Sequence, residues 1–154
     1  MKKSSFILLA VTLSVATVFT TSCKEKGCTD PDSINYSETA AEDDGSCTYE
    51  GAVVFWYDEA TSAGLVDDGA ISLTYYVDDK IIGSSAADVY WTGAPDCGQN
   101  GSVSVDKSLG NAKTWTYSFS AEDQTGWVYW GDPVTFEANT CIKIRLVWGK
   151  RKKK

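Results

Sequence analysis

Histidine is absent from this chain of 154 residues, and methionine occurs once. Without imidazole there is no Ser/His or Cys/His nucleophile pair, no His general base and no His-ligated zinc, so the commonest hydrolase machinery is excluded. Proline is scarce at three residues, which with 13 Gly and 12% aromatics describes a folded, β-leaning chain rather than a disordered one. Between Lys26 and Lys80 there is no Lys or Arg, while that interval holds 13 acidic residues. The net charge is -7, from 14 basic and 21 acidic side chains, so nucleic acid is not an expected partner. The longest apolar-biased run, Phe6 to Phe19, falls short of the roughly 20 residues that a spanning helix needs. The length has room for one modest domain plus a small attachment.

What is present begins with a leader. Lys2 and Lys3 precede the apolar run, then come Thr20, Thr21, Ser22 and Cys23. This is the layout of a secretory signal peptide over residues 1–22. A Cys directly after the small residues resembles a bacterial lipoprotein signal; Thr20 stands where Leu is usual, a relaxed box familiar in Bacteroidota-type lipoproteins. The resemblance implies that Cys23 carries a palmitate-type acyl chain, with residues 23–26 as anchor and tether of an outer membrane lipoprotein. An ordinary secreted protein with a stray Cys is the plainer alternative. Lys24-Glu25 partly resembles a surface-export signal that Lys26 interrupts, so the cell surface is favoured over the periplasmic face. Five Cys is an odd count, and giving Cys23 to a lipid leaves Cys28, Cys47, Cys97 and Cys141 for an oxidising compartment. Of their three connectivities, Cys28 with Cys47 and Cys97 with Cys141 is favoured, because each pair closes within one composition block. Without residues 1–22 the balance is 12 basic against 21 acidic side chains, a net -9. The tail at 150–154 is all basic and reads as a solvated end, with contact to anionic lipid head groups or polysaccharide as the sharper alternative.

Residues 27–50 have too few apolar side chains for a core of their own and need a staple, a metal, or both. A Cys28–Cys47 bridge closes a loop of about twenty residues, worth about 3 kcal/mol on the chain-entropy model. Six carboxylates lie inside that loop, Asp30, Asp32, Glu38, Glu42, Asp43 and Asp44. Oxygen-rich ligands select a hard cation, Ca²⁺ before Mg²⁺. The pattern from Gly27-Cys28-Thr29-Asp30-Pro31 through Asn35-Tyr36 and Ala40 to Asp43-Asp44-Gly45-Ser46-Cys47 and Tyr49 resembles a small module of exported Bacteroidota proteins, similar to calcium-binding thrombospondin type 3 repeats; Ser33 departs from the usual Ala. The resemblance implies the disulfide, a compact turn structure and a Ca²⁺ site for which Asp30, Asn35, Asp43 and Asp44 are the candidate ligands. It is not an EF-hand, since the alternating acids and closing Glu are missing. The competing reading makes these acids caps of turns. Loss of the first bridge is expected to unfold only this spacer.

From Ala52 the period becomes two. Trp115, Tyr117 and Phe119 alternate with hydroxyl residues, as do Ile142, Ile144, Leu146 and Trp148 with Lys143, Arg145 and Val147. Ile71 to Val77 reads as a strand turned back by Asp78-Asp79-Lys80, and Val53 to Tyr57 as a central strand. Asp88–Trp91, Ser102–Asp106, Trp127–Trp130 and Val134–Glu137 are further strand candidates, and no stretch shows a sustained helical period. Residues 51–149 are therefore expected to form an all-β, two-layer antiparallel, Greek-key-like sandwich. The order of strands weakly resembles PEGA-like and carboxypeptidase-regulatory-like domains, which are mostly structural or adhesive.

The leading expectation is a non-enzymatic, lipid-anchored envelope protein that displays a β-sandwich to an envelope protein or glycan. Six Trp and eight Tyr invite an alternative, a carbohydrate-binding accessory protein. Alternation places Trp115, Tyr117 and Trp148 inside, leaving Tyr76, Tyr90, Trp127 and Trp130 as the candidate stacking residues. A carboxylate-only glycosidase would need two acids about 5–9.5 Å apart in a cleft, and a small sandwich offers little cleft.

Overall fold

The computed structural model describes residues 24–149 and 152–153, so Cys23 and the leader lie outside the described residues. Two short strands, β1 (Lys26–Gly27) and β2 (Glu42–Asp43), pair in the acidic module. β3 (Tyr49–Trp56) then opens the sandwich two residues before the composition changes. It is followed by helix α1 (Glu59–Asp67) and the strands β4 (Ser72–Val77), β5 (Lys80–Ala86), β6 (Val103–Gly110) and β7 (Thr114–Tyr117). The chain continues through β8 (Phe119–Asp123), β9 (Trp127–Trp130), β10 (Val134–Glu137), β11 (Cys141–Arg145) and β12 (Lys152–Lys153).

One layer is the sheet β11-β3-β6, the other the sheet β12-β9-β8-β4-β5. Between them Phe55 of β3 stacks on Phe119 of β8 with ring centroids 4.1 Å apart, and Tyr75 of β4 closes against the same ring at 6.3 Å. The pair β10-β7 closes one side of the core, where Phe136 is fully buried and meets Tyr117 edge-on at 5.4 Å. Neighbours distant in sequence, β4 beside β8 and β3 beside β6 and β11, carry the chain back and forth between the layers. The all-β sandwich is thus present, antiparallel except that β11 pairs with β3 in parallel. The β4–β5 hairpin turns through Asp78 and Asp79, both at positive φ (55° and 56°), as a two-residue type I′ turn requires.

Four expectations are corrected. Helix α1 exists although no helical period was legible. Its buried face is Thr61, Ser62 and Leu65, so two of its three core positions are hydroxyls. Thr61 Oγ1 donates to the Leu146 carbonyl and Ser62 Oγ to that of Ala87 (2.7 Å), which satisfies both groups. Asp58 caps the start by accepting from the Thr61 amide at 3.1 Å, and Gly69 (φ +87°) ends the helix in a Schellman turn with Ala70 N–H on the Leu65 carbonyl. Second, the aromatic segment 115–119 is no single strand: it divides at Ser118, with β7 pairing β10 at the side of the core and β8 joining the five-stranded layer. Third, Trp115 and Trp148 are about half exposed (53% and 46%) rather than inside. Trp115 lies opposite Phe136 in the β7–β10 pair, and Trp148 lies past the last core strand against Gly64 of α1. Fourth, Asp88–Trp91 is not a strand but the start of a loop fixed by Trp91 N–H on the Tyr57 carbonyl at 2.9 Å.

Candidate functional site

The acidic module is built from side-chain-capped turns. Asn35 is its hub: Oδ1 accepts from Ser33 Oγ (2.8 Å), the Thr48 amide (2.9 Å) and Thr48 Oγ1 (3.2 Å), while Nδ2 donates to the Ser46 carbonyl at 2.8 Å. Asp43 accepts from the Gly45 amide at 3.0 Å and Asp44 from the Ser46 amide at 2.9 Å, each an Asx turn. Asp30 Oδ1 accepts from the Asp32 amide at 3.1 Å, and its Oδ2 accepts from the Tyr49 hydroxyl at 2.8 Å. All four candidate calcium ligands therefore cap turns or tie the module together. Among the described residues, no three Cys, Asp or Glu side chains converge on one point where a metal would sit.

The positive charge that the crowded loop needs comes from elsewhere in the chain. Lys113, in the turn between β6 and β7, places Nζ 2.7 Å from Asp30 and 3.0 Å from Asp32. Bonds from Lys113 and then Tyr49 hold the Asp30 carboxyl below the ordinary carboxylate range, and the same contacts raise Lys113 and Tyr49. At the module's start Lys26 pairs with Glu42 at 3.2 Å. Lys113 lies 81 residues from Asp32 in sequence, and no local pattern could have announced it.

Both expected disulfides are formed, Cys28–Cys47 and Cys97–Cys141. Cys28 and Cys47 are buried in the same apolar cluster as Tyr49, Val53 and Phe55, so the first bridge is continuous with the sandwich core rather than confined to a spacer. The second ties the loop after β5 to the first residue of β11. That loop is also held by Lys143 Nζ on Asp96 (2.6 Å) and by the Gly98 amide on Ser104 Oγ (2.9 Å).

Two open grooves run along the seam where the module meets the sandwich. One, of about 380 Å³, has Pro31, Asp32, Ser33 and Ile34 on one side, and Glu50, Ala52 and Asp106 are among the residues opposite. The other, of about 320 Å³, lies between Asp32, Lys113 and Glu137. Asp32, Asn139 and Thr140 line both. Carboxylates, an amide, hydroxyls, the Lys113 ammonium and the apolar side chains of Pro31, Ile34, Ala52 and Ala138 thus line two grooves within the size range of small-ligand sites, roughly 300–1,000 Å³.

The four stacking candidates do not share one surface. Tyr76 projects from β4 on the face opposite Tyr75, Tyr90 is exposed in the loop after β5, and Trp127 is half-buried at the start of β9. Trp130 is consumed by packing: its ring stacks near Tyr57 at 6.4 Å and its Nε1 donates to the Val147 carbonyl at 3.0 Å. No family model, curated protein or solved structure matches the chain. Its class is defined by its own architecture, an all-β sandwich with a disulfide-stapled module docked on one end.

Proposed function

We propose that the chain is an exported, lipid-anchored, non-catalytic envelope protein that displays its sandwich for structural or adhesive contact. The observation that supports this most is the cysteine balance. The four cysteines after Cys23 are paired in two disulfides, which leaves Cys23 as the odd thiol, placed where a lipoprotein signal acylates. The tether from Cys23 to β1 is short, so the module sits next to the lipid and the sandwich beyond it. Metabolic labelling with a fatty-acid analogue is expected to mark the wild type and to miss Cys23→Ser. Labelling of both proteins would refute acylation at that residue.

The seam grooves favour a second reading, binding of a small glycan, because their polar lining suits hydroxyl groups and the flanking walls are open. A glycan array on the mature chain, with Asp32→Ala and Asn139→Ala as controls, separates the two readings. The module is further proposed to bind Ca²⁺ weakly, at the level of extracellular modules, about 10⁻⁴–10⁻³ M. Asp43 and Asp44 carry no ion pair within 4.0 Å among the described residues, which supports a surplus of anionic oxygen there. Calorimetry on the mature chain, with Asp43→Asn plus Asp44→Asn as control, gives a heat that the double variant loses; a flat wild-type trace would reduce these acids to turn caps.

A further inference from the structure

The edge of the three-stranded sheet formed by β11 has two features that complement each other. The first is an unpaired backbone. The Thr140 carbonyl and the Leu146 amide bond to β3, so in this parallel ladder the even residues of β11 face β3 and the odd residues face away. The N–H and C=O groups of Cys141, Lys143 and Arg145 therefore line the free edge, and among the described residues no strand pairs there. The second is a cleft of about 270 Å³ beside that edge, lined by the apolar Phe119, Trp130, Pro133, Val134, Ile144 and Leu146 together with Asp132, Thr135 and Arg145. Phe119, Val134 and Leu146 are buried core residues, so the cleft opens into the sandwich interior. It is smaller than typical small-molecule sites, roughly 300–1,000 Å³, and has the size for one or two side chains.

We infer that β11 and this cleft form a strand-acceptor site, which takes an extended segment of another polypeptide with a large apolar side chain opposite Ile144 and acidic side chains opposite Lys143 and Arg145. Backbone pairing along a sheet edge selects an extended peptide, and the pocket beside it selects its inward side chain. Register sets the rest: Ile142 and Ile144 lie opposite Val53 and Phe55 and face inward, so Lys143 and Arg145 point to the outer surface. Edge lysines normally protect a strand from pairing. Here Lys143 is drawn to Asp96 at 2.6 Å and Arg145 to Asp58, which holds both side chains on the outer face and leaves the backbone row clear; both cations stay partly exposed, so acidic side chains of a bound segment share them with Asp96 and Asp58. A second copy is a poorer occupant, because antiparallel pairing of the whole of β11 with itself sets Lys143 against Lys143.

This inference rests on the reading of the sandwich as a contact module and names the contact. The probe is a short acetylated, amidated peptide alternating leucine with glutamate, added at about 1 mM to the ¹⁵N-labelled mature chain carrying Cys23→Ser. The amides of Cys141, Lys143 and Arg145 shift, and their hydrogen exchange slows by about tenfold. The same peptide N-methylated at every residue has no such effect, and neither has the parent peptide on Lys143→Pro, a substitution that an outward N–H on an edge strand tolerates. The inference is overturned if the parent peptide leaves the three amides unchanged or if the methylated peptide acts equally. It is likewise overturned if those amides move with protein concentration alone, which would identify a second copy. None of these outcomes alters the fatty-acid labelling that tests the anchor.

Discussion

The acidic module and the sandwich reach an ordered fold by opposite means. In the sandwich, apolar side chains at period two meet across two layers, and Val53, Leu73, Tyr75 and Phe136 lose nearly all contact with water. In the module, the order comes from Asx turns, the Asn35 hub and one disulfide, with little apolar surface to bury. The module is also incomplete alone. Tyr49, which reaches Asp30, begins the sandwich's first strand, and Lys113, which balances Asp30 and Asp32, belongs to a turn between its later strands. A segment too small to have a core has borrowed one, and its surplus charge is offset by the domain that it leans on.

This contrast orders the expected effects. Phe55→Ala removes the ring between the layers and is expected to cost about 3–5 kcal/mol in urea unfolding of the whole chain. Cys28→Ser with Cys47→Ser removes the module's staple, worth about 3 kcal/mol on the chain-entropy model, and shifts the sandwich transition as well because both sulfurs pack in its core. A sandwich transition that stayed in place would restore the independent spacer. Gly64→Ala would bring a methyl group 2.6 Å from the Trp148 ring, and overpacking of this kind costs about 1–3 kcal/mol by thermal unfolding.

Lys113→Met has the mildest effect, because the site is solvent-exposed, and it acts through pH. The Asp30 carboxyl is held below its unfolded value, so its contribution is present above about pH 4 and lost as pH falls through the lower folded value. Module amide resonances are therefore expected to move at acid pH in the wild type, and over a higher pH range in Lys113→Met. Identical titrations would remove Lys113 from the account.

The sandwich was legible where local chemistry dictates local form. The doubled Asp at 78–79 marked the hairpin, the two-faced apolar run at Val53–Tyr57 marked a central strand, and the even set of cysteines marked two bridges. Helix α1 was hidden because its inward face uses Thr61 and Ser62, whose hydroxyls are satisfied by carbonyls distant in sequence. Asp58 at its start and Gly69 past its end were the available signals. Alternation across 115–119 suggested one buried aromatic face. It could not reveal that Ser118 passes the chain from the β10-β7 pair into the five-stranded layer, with Trp115 left exposed. In the candidate site the turn-forming acids were readable, whereas the seam and Lys113 arise from contacts across the fold. Parallel pairing of β11 with β3, which creates the free edge, is likewise a property of topology.

Native-state hydrogen exchange in Phe55→Ala tests most directly whether the two regions form one unit. The Ile34 amide, bonded to the Thr48 carbonyl at 2.9 Å, reports on the module, and the Val54 amide, in the ladder between β3 and β11, reports on the sandwich. If the module depends on the sandwich, weakening the core speeds exchange at both amides together. Faster exchange at Val54 with an unchanged rate at Ile34 would show a module that stands without its neighbour, and would contradict this account.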